Sequence, residues 1–231
     1  MPRTIAIGDV HGCADELAAL IAKLQLRSDD RVIQVGDLVN RGPDSHRAIQ
    51  LARQFQIEVV LGNHELRLLH SRRTQQSKAL KQYDLETIAQ LSQSDWDFLA
   101  HLPTHIHDRD TATVFVHAGF LPQIPWQSQS LETVTQIQVV DQQGRAKKRS
   151  QAPNAAPWAD DWAKRWHADD PDRPFVVYGH TPRPQILQRN GSIGIDTGCV
   201  YGGYLTAFIL EDAKIVQVRA QKAYAHSKRI V

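Results

Sequence analysis

Five short turns along the chain carry side chains that can bind metal ions. Each turn follows a short apolar run and combines glycine with aspartate, asparagine or histidine. Glycine lets the backbone turn sharply and approach a bound group closely. Carboxylate, amide and imidazole donors together suit Mn, Fe or Zn, so the five turns predict a site for two metal ions. The turns occupy residues 8–12, 36–42, 62–65, 117–119 and 179–181.

The spacing of the candidate ligands indicates how they could serve two metals. Asp9 and His11 lie two residues apart in one turn, so both can reach the same ion. Asp37, in the second turn, is the natural bridge between the ions. The remaining candidates would complete the second metal, and they are Asn63, His117 and His180.

Two further side chains can act on a substrate phosphate. Arg41 lies in the same turn as Asp37, and a guanidinium there can hold two phosphoryl oxygens at once. His64 directly follows Asn63 and is better placed as a general acid than as a ligand, because the metal positions are already filled. Glu65 is expected to orient the start of a helix or to contact a ligand, without a catalytic role.

The five turns must be held together by strands that end at one edge of a sheet. Short apolar runs precede the turns, and helical spacing of apolar residues separates the first three runs, which predicts a β-α-β-α-β-α order. Ligands in such α/β sheets bind at the carboxyl ends of the strands. The runs are residues 5–7, 32–35, 57–61, 113–116 and 175–178.

The rest of the chain is less regular. Residues 70–102 have helical spacing and are expected to form a solvated face, with a cap over the site as the alternative. Residues 120–174 contain many prolines and several tryptophans that could stack on a base. Within them, the basic run 144–149 is expected to be a solvated loop, with guidance of a polyanionic substrate as the alternative. The C-terminal half is expected to be mostly β, with a hairpin turn at 190–191 and a frayed tail from Gln221.

Bulk composition narrows the functional classes. The 231 residues carry a net charge of +2 and are 42% hydrophobic and 23% charged, which suits one domain over residues 1–231. This balance favours neither a stable nucleic-acid complex nor a membrane protein, and no apolar run approaches the ~20 residues of a transmembrane helix. The first residues lack a signal peptide's apolar segment, and two cysteines give no disulfide framework, so a cytoplasmic location is expected. Cys13 is expected to be a small buried residue.

The five motifs together resemble the calcineurin-like metallophosphoesterases, specifically the phosphoprotein phosphatase superfamily. In chain order they are GD-x-HG, GD-x-x-x-RG, GNHE, HAG and GH, from Gly8 to His180. Residues 177–182 and 195–203 resemble a narrower group, the symmetrical diadenosine tetraphosphate hydrolases and related bacterial-type phosphatases.

This resemblance implies the α/β metallophosphoesterase fold, a central β-sandwich flanked by helices in α/β/β/α layers, with the metals at one end. It implies two divalent metal ions, Mn²⁺ in the first place, with Fe, Zn, Co, Ni or Mg as alternatives. Arg41 would bind the phosphate, and His64 would donate a proton to the leaving group. One metal would be held by Asp9, His11 and Asp37, and the other by Asp37, Asn63, His117 and His180.

Two positions bear on the substrate class. Asn40 stands where the protein phosphatases carry an aspartate that pairs with the catalytic histidine; an amide can orient the His64 ring but supplies no charge. A seryl alkoxide needs protonation more than a phosphate leaving group does, so Asn40 favours phosphoanhydrides. Glu65 points the other way, since the tetraphosphate hydrolases usually have aspartate there. The candidates for a second phosphate-binding arginine are Arg145, Arg165 and Arg183.

The resulting hypothesis is a dinuclear-metal phosphoesterase that hydrolyses phosphoric ester or anhydride bonds by attack of a metal-bridging hydroxide. Dinucleoside polyphosphates or similar phosphoanhydrides are the expected substrates. One alternative is a protein Ser/Thr or Tyr phosphatase, which would act on a phosphoprotein. Another is a phosphate- or nucleotide-binding protein that has lost catalysis, although Arg41 and His64 beside a full ligand set oppose it.

Overall fold

Two mixed β-sheets form the centre of the molecule. The computed structural model describes residues 2–76, 80–167, 170 and 173–226. The strands in these residues are β1 (Thr4–Ile7), β2 (Arg31–Gln34), β3 (Glu58–Val59), β4 (His105–Asp108), β5 (Thr113–Val116), β6 (Val139–Val140), β7 (Ala146–Lys147), β8 (Phe175–Tyr178), β9 (Leu187–Arg189), β10 (Ser192–Gly194), β11 (Tyr204–Ile209) and β12 (Lys214–Arg219). The first sheet has the order β12-β11-β1-β2-β3, the second has the order β4-β5-β8-β10-β9, and β6 pairs with β7 in a separate ribbon.

Seven α-helices connect and cover the strands within the described residues. They are α1 (Ala14–Leu24), α2 (Ser45–Gln54), α3 (Asn63–Thr74), α4 (Gln82–Gln90), α5 (Gln93–Ala100), α6 (Leu131–Gln136) and α7 (Trp158–Arg165). Several start at a residue whose side chain caps the helix. The carboxylate of Asp44, for example, accepts the backbone N–H of Arg47 at 2.9 Å at the start of α2.

Alternation along the strands divides the buried side chains into layers. In β1, Ile5 and Ile7 pack with the apolar residues of α1, while Ala6 packs with residues of the second sheet. In β5, Val114 packs with the tryptophan-rich cluster on the far side, while Phe115 packs against the first sheet. Successive side chains of a strand point to opposite faces, so a fully apolar strand supplies two layers. The predicted α/β/β/α sandwich is confirmed.

Strand direction brings the five turns to one edge of the sheets. β1, β2 and β3 run parallel to one another in the first sheet, and β5 runs parallel to β8 in the second. The predicted order of alternating strands and helices is present, with a shorter third strand. The hairpin at residues 190–191 is also present, between the antiparallel strands β9 and β10. The expectation that residues 1–231 form one domain stays a prediction.

The tryptophans of residues 120–174 form a core rather than a binding surface. Trp126, Trp158 and Trp162 are 6%, 2% and 1% exposed, and they pack with Phe120 on the outer face of the second sheet. Trp166 packs against the same cluster. The expectation that these rings could stack on a base is therefore wrong for the three buried tryptophans, because neighbouring side chains cover them, and it stays a prediction for Trp166, which is partly buried.

The segment before the C-terminus packs on the first helix. The backbone N–H of Gln221 and the hydroxyl of Tyr224 donate to Oε1 of Glu16 at 3.0 and 2.8 Å. The expected frayed tail is therefore wrong for residues 221–226, and the rest of it, 227–231, lies outside the described residues. Cys13 is buried, as expected. Across the described part of the chain, no helix combines the length and the apolar character needed to cross a membrane.

Candidate metal centre

Candidate ligands from both sheets meet where the predicted turns follow their strands. Asp37 is central: its Oδ2 lies 3.6 Å from Nε2 of His11, and its Oδ1 lies 3.4 Å from Nε2 of His117. Oδ1 of Asn63 lies 3.0 Å from Nε2 of His117 and 2.8 Å from Nδ1 of His180. These contacts join side chains from all five turns. The first turn takes part through His11, and its other candidate ligand is Asp9.

Asp9, in the first turn, is held against the same cluster by the turn after β8. Its two carboxylate oxygens each accept the backbone N–H of His180 at 3.1 Å. Gly179 allows this approach, since a Cβ at that position would lie 1.9 Å from Oδ1 of Asp9. The structure therefore brings all six predicted ligands together.

Several residues of the site adopt a left-handed backbone conformation, which most side chains avoid. The φ angle is 50° at His11, 56° at Asp37, 72° at Arg41 and 68° at His180. The first two turns brace each other, because the backbone N–H of His11 donates to the carbonyl oxygen of Asp37 at 2.8 Å. Left-handed residues cost of order 1–2 kcal/mol each, and such strain concentrates at functional sites.

The histidines among the candidate ligands each use one ring nitrogen on a backbone carbonyl. Nδ1 of His11 lies 3.4 Å from the carbonyl oxygen of Val39, and Nδ1 of His117 lies 3.0 Å from that of Val35. Nε2 of His180 lies 3.2 Å from the last carbonyl of α6. A carbonyl oxygen only accepts, so these nitrogens carry the hydrogen and the opposite nitrogens present lone pairs to the site.

Burial keeps two of these imidazoles neutral. It lowers the pKa of His11 to about 3, with a contribution from the Arg41 charge, and it lowers the pKa of His180 to about 3 as well. Burial lowers the pKa of His117, but the charge and hydrogen bond of Asp37, with the charge of Glu65, together outweigh it, and the pKa is raised. Neutral imidazole lone pairs are what a divalent metal requires from histidine.

Buried carboxylates surround the same point and repel one another. Burial, with the charges of Asp196 and Asp37, raises the pKa of Asp9 well above its usual value. Burial also raises the pKa of Asp196 to about 6 and that of Glu65 to about 7. Burial also acts to raise the pKa of Asp37, but the charges of neighbouring histidines and a hydrogen bond from His117 hold that pKa well below its usual value. Divalent cations would compensate this charge, and the mixed oxygen and nitrogen donors fit them.

Glu65 supports the turns rather than pointing into the site. Its carboxylate accepts the backbone N–H groups of Asp37, Val39 and Gly62, each at 3.0 Å. It therefore joins the start of α3 to the turn after β2, in agreement with the expectation that it orients the helix start.

His64 is bonded differently from the ligand histidines. Nη2 of Arg67 lies 3.1 Å from Nδ1 of His64, and a guanidinium only donates, so Nδ1 accepts. The ring hydrogen is therefore on Nε2, which is buried, has no hydrogen-bond partner among the described residues and lies 4.0 Å from Oδ2 of Asp37. An N–H group directed into the site can supply a proton, whereas it cannot coordinate a metal.

Asn40 does not orient the His64 ring. Its Nδ2 donates to Asp84 at 2.5 Å, and its Oδ1 accepts from Thr87 at 3.2 Å. Asp84 also accepts from Nη2 of Arg67 at 2.6 Å. The expectation of an amide beside the ring is therefore wrong, because Arg67, held by Asp84, takes that position.

Helix α4 is part of the site. Asp84 is fully buried, and the ring of Tyr83 is stacked on that of His64 with 6.0 Å between centroids. The expectation that residues 70–102 form a solvated face is therefore wrong for α4. The sequence does hold a signal for Arg67, which lies three residues after His64 on one helix face. It holds none for Tyr83 and Asp84, because their contacts depend on how α4 packs.

A cavity of about 310 Å³ lies beside the candidate ligands, and we call it the metal cavity. Asp37 and His180 line it together with Arg41, Lys148 and Arg149. Arg41 therefore faces the site, as expected. Its guanidinium donates to the hydroxyl of Tyr201 and lies 3.2 Å from Nε2 of His11.

Arg149 lines the metal cavity in place of the arginines suggested by the sequence. Arg145 is exposed and pairs with Asp141 at 2.9 Å, and neither Arg165 nor Arg183 is among the residues that line this cavity. The basic run was visible in the sequence, but its division into a solvated part and a cavity wall depends on the β6–β7 ribbon.

Comparison with known proteins gives a consistent family. The calcineurin-like phosphoesterase family model matches residues 2–216. The chain is 31% identical to an asymmetrical bis(5'-nucleosyl)-tetraphosphatase of Oceanobacillus iheyensis, over 96% of this chain and 94% of that one. It is 28% identical to a symmetrical bis(5'-nucleosyl)-tetraphosphatase of Methylobacillus flagellatus, over 95% and 96% of the two chains.

Solved structures agree with this result. A crystal structure of a protein provisionally described as a diadenosine tetraphosphatase superposes with a TM-score of 0.81 at 28% identity, covering 95% of this chain and 96% of that one. A protein serine/threonine phosphatase of Saccharomyces cerevisiae shares the fold, with a TM-score of 0.60 at 15% identity over 98% and 82% of the two chains. The predicted resemblance is confirmed, and the chain belongs to the calcineurin-like phosphoesterase family.

Proposed function

We propose that this chain is a metal-dependent hydrolase that cleaves phosphoanhydride bonds of dinucleoside polyphosphates. The observation that carries the proposal is the convergence of six candidate ligands with Arg41 and His64 around Asp37, beside the metal cavity. The names of the relatives support the substrate class, since both cleavage patterns among them belong to tetraphosphatases. The protein phosphatase alternative has only a likeness of fold at 15% identity, which carries no argument about activity.

Two divalent ions would be held in the arrangement expected from the sequence. When bound, they would lower the pKa of water and neutralise charge on the phosphoryl oxygens. Mn²⁺ is the proposed metal, because three oxygen donors and three imidazoles form a mixed set that fits Mn, with Fe or Zn as alternatives. One ion would be held by Asp9, His11 and Asp37, and the other by Asp37, Asn63, His117 and His180.

Arg41 would hold the phosphoryl group that reacts. Its guanidinium is fixed by the hydroxyl of Tyr201, so its donors are oriented before the substrate arrives. A guanidinium can bond two phosphoryl oxygens, and its charge stabilises the negative charge that develops in the transition state. Lys148 and Arg149, on another part of the cavity wall, would hold the phosphates further along the chain of the substrate.

His64 would donate a hydrogen bond from the N–H at Nε2 to the leaving oxygen. Arg67 keeps Nδ1 free of hydrogen, and burial and nearby positive charges lower the pKa of His64 well below its usual value. The neutral ring is therefore a weak acid. A phosphate leaving group has a second pKa near ~6 and needs little help from an acid, whereas a seryl alkoxide needs much. The positive neighbour of His64 thus favours anhydrides more directly than Asn40 does.

The proposal is tested by comparing two substrates on the chain supplied with Mn²⁺. We would measure kcat/KM for diadenosine tetraphosphate and for a phosphoserine peptide, and identify the products of the first by chromatography. The Asp37→Asn variant is the control for activity from a contaminating enzyme. We expect a preference of at least about 100-fold for the tetraphosphate, on the scale of general acid catalysis that the peptide requires.

The products also give the position of cleavage. Two ADP molecules would correspond to the symmetrical pattern, and AMP with ATP would correspond to the asymmetrical pattern. Preference for the phosphopeptide would overturn the proposal in favour of a protein phosphatase. Bound metal without hydrolysis of either substrate would favour a binding protein instead.

A further inference from the structure

A second cavity lies next to the metal cavity and shares a wall with it. Its volume is about 440 Å³, and Arg41 and Tyr201 line both cavities. The rest of its wall includes Tyr83, Tyr224 and Lys81, and we call it the tyrosine cavity. The two cavities therefore meet at the residue proposed to hold the reacting phosphoryl group.

The two linings suit different parts of one molecule. Lys148 and Arg149 add positive charge to the metal cavity beyond that of Arg41. The tyrosine cavity has rings from three elements, which are α4, the loop after β10 and the segment after β12. Its two oppositely charged side chains, Lys81 and Glu86, offset the charge of each other. Polyphosphate suits the first lining, while a planar base suits the second, because any base can stack on an aromatic ring.

The rings of the tyrosine cavity are fixed before any ligand binds. Tyr224 is tied at both ends: its hydroxyl donates to Glu16 at 2.8 Å, and its backbone N–H donates to Val200 at 2.9 Å. Tyr201 is held through its hydroxyl by Arg41. Groups that are already ordered lose little entropy on binding, so such rings form an efficient stacking surface.

A simpler role, that of clamping Arg41, explains only part of this arrangement. The rings of Tyr83 and Tyr201 lie 5.8 and 5.6 Å from the guanidinium carbon of Arg41, which is the distance of a cation–π contact. Tyr224 is held instead by Glu16, and its place in the cavity wall is not required for the clamp.

We propose that the tyrosine cavity binds a nucleoside of the substrate, with its base stacked on the tyrosine rings and its phosphate directed to Arg41. This inference rests on the proposed function, since it assigns the cavity to another part of the same substrate. It adds a binding surface formed by α4, the loop 195–203 and the segment 221–226 to the metal-binding turns.

AMP and ribose 5-phosphate provide a matched test, because they differ only in the base. We would measure the affinity of both for the chain supplied with Mn²⁺ by calorimetry, and confirm that neither is hydrolysed during the titration. Stacking on aromatic side chains should make AMP bind roughly 5- to 100-fold more tightly. Equal affinities for the two ligands would overturn the proposal.

Two leucine variants then locate the base. Tyr224→Leu keeps apolar bulk but removes the ring, and it should reduce the ratio of the two affinities about tenfold. Tyr204→Leu is the matched control, since Tyr204 is 38% exposed and is not among the residues that line either cavity. An unchanged ratio in folded Tyr224→Leu would contradict the assigned position.

Photolabelling gives a result that does not depend on a variant. 8-Azido-AMP should label peptides containing residues 81–86 or 224–226, and excess AMP should compete with the label more strongly than ribose 5-phosphate does. Labels confined to other peptides would overturn the proposal. Neither measurement requires catalysis, so a preference for AMP without tetraphosphate hydrolysis would retain the nucleoside site and reject the proposed function.

Discussion

Arg67 and His64 lie one turn apart on α3, and the guanidinium of Arg67 donates to Nδ1 of His64 at 3.1 Å. Asp84 holds that guanidinium from α4 at 2.6 Å. Burial, with the positive charges of Arg41 and Arg67, lowers the pKa of His64 well below its usual value. The ring is therefore held as a neutral imidazole with its proton at Nε2, facing Asp37.

Replacing Arg67 should affect substrates according to how basic their leaving group is. In Arg67→Met, Nδ1 loses its donor and the ring hydrogen is free to occupy Nδ1, so fewer molecules present a proton at Nε2. We expect kcat for phenyl phosphate to fall about tenfold, within the range that general acid catalysis contributes. The rate with p-nitrophenyl phosphate, whose leaving group is less basic, should fall by less than about threefold.

The control for this prediction is Arg73→Met, which removes an exposed arginine from the same helix. Circular dichroism would confirm that the Arg67 variant is folded, because Asp84 loses one of its partners. Equal losses on the two aryl phosphates would contradict a role for Arg67 in placing the proton.

Metal content should separate the ligands from His64. Asp37→Asn removes the carboxylate that lies 3.6 Å from Nε2 of His11 and 3.4 Å from Nε2 of His117, so bound Mn²⁺ should fall from two ions to one or fewer per chain. His64→Asn should retain both ions while kcat falls about 100-fold on phenyl phosphate. Elemental analysis after gel filtration measures both variants. Loss of metal in His64→Asn would show that His64 is a ligand.

Metal removal should destabilise the chain in a pH-dependent manner. Mn²⁺ at 100 times its Kd should raise Tm by roughly 5–10 °C at pH 7.5, because it binds the folded state alone. Burial and neighbouring carboxylates raise the pKa of Asp9, so protons compete with the metal for this ligand more strongly at pH 5.5 than at pH 7.5. The rise in Tm should therefore be smaller at pH 5.5. Scanning calorimetry with Mn²⁺ and with EDTA tests the sign, and a larger rise at pH 5.5 would contradict it.

The sequence predicts the metal-binding turns well, because each ligand lies within two residues of a glycine at the end of a short apolar strand. The close approach of Gly179 to Asp9 agrees with that local pattern. The surroundings of His64 are different in kind. Tyr83 and Asp84 reach it through the packing of α4, and no local pattern records which side of a polar helix is buried.

The role of the tryptophans in residues 120–174 could not be predicted from local sequence either. A proline-rich stretch with several aromatic residues is typical both of a ligand-binding loop and of a second small core. Here Trp158 and Trp162 are fixed by the outer face of the second sheet, which itself becomes apparent only when β5 and β8 are paired.

Truncating this cluster should reduce stability rather than substrate recognition. Trp162 is 1% exposed and packs with Phe120 and Trp158, so Trp162→Ala should lower the free energy of unfolding by about 3–5 kcal/mol. Phe55→Ala, at a position that is 36% exposed, should change it by less than about 1 kcal/mol. Urea unfolding measures both variants. A loss of substrate affinity in Trp162→Ala without loss of stability would indicate a binding role instead.

Arg149 should matter more for long phosphate chains than for a single phosphate. It lines the metal cavity beside Lys148, whereas Arg165 lies exposed outside that wall. In Arg149→Gln, kcat/KM for diadenosine tetraphosphate should fall about tenfold, as expected for one charge-assisted hydrogen bond. The loss with p-nitrophenyl phosphate should be smaller, because this substrate has no further phosphate to contact the side chain. Arg165→Gln should leave the ratio of the two kcat/KM values unchanged, and a shift of that ratio in Arg165→Gln but not in Arg149→Gln would place the phosphate chain on the other side of the cavity.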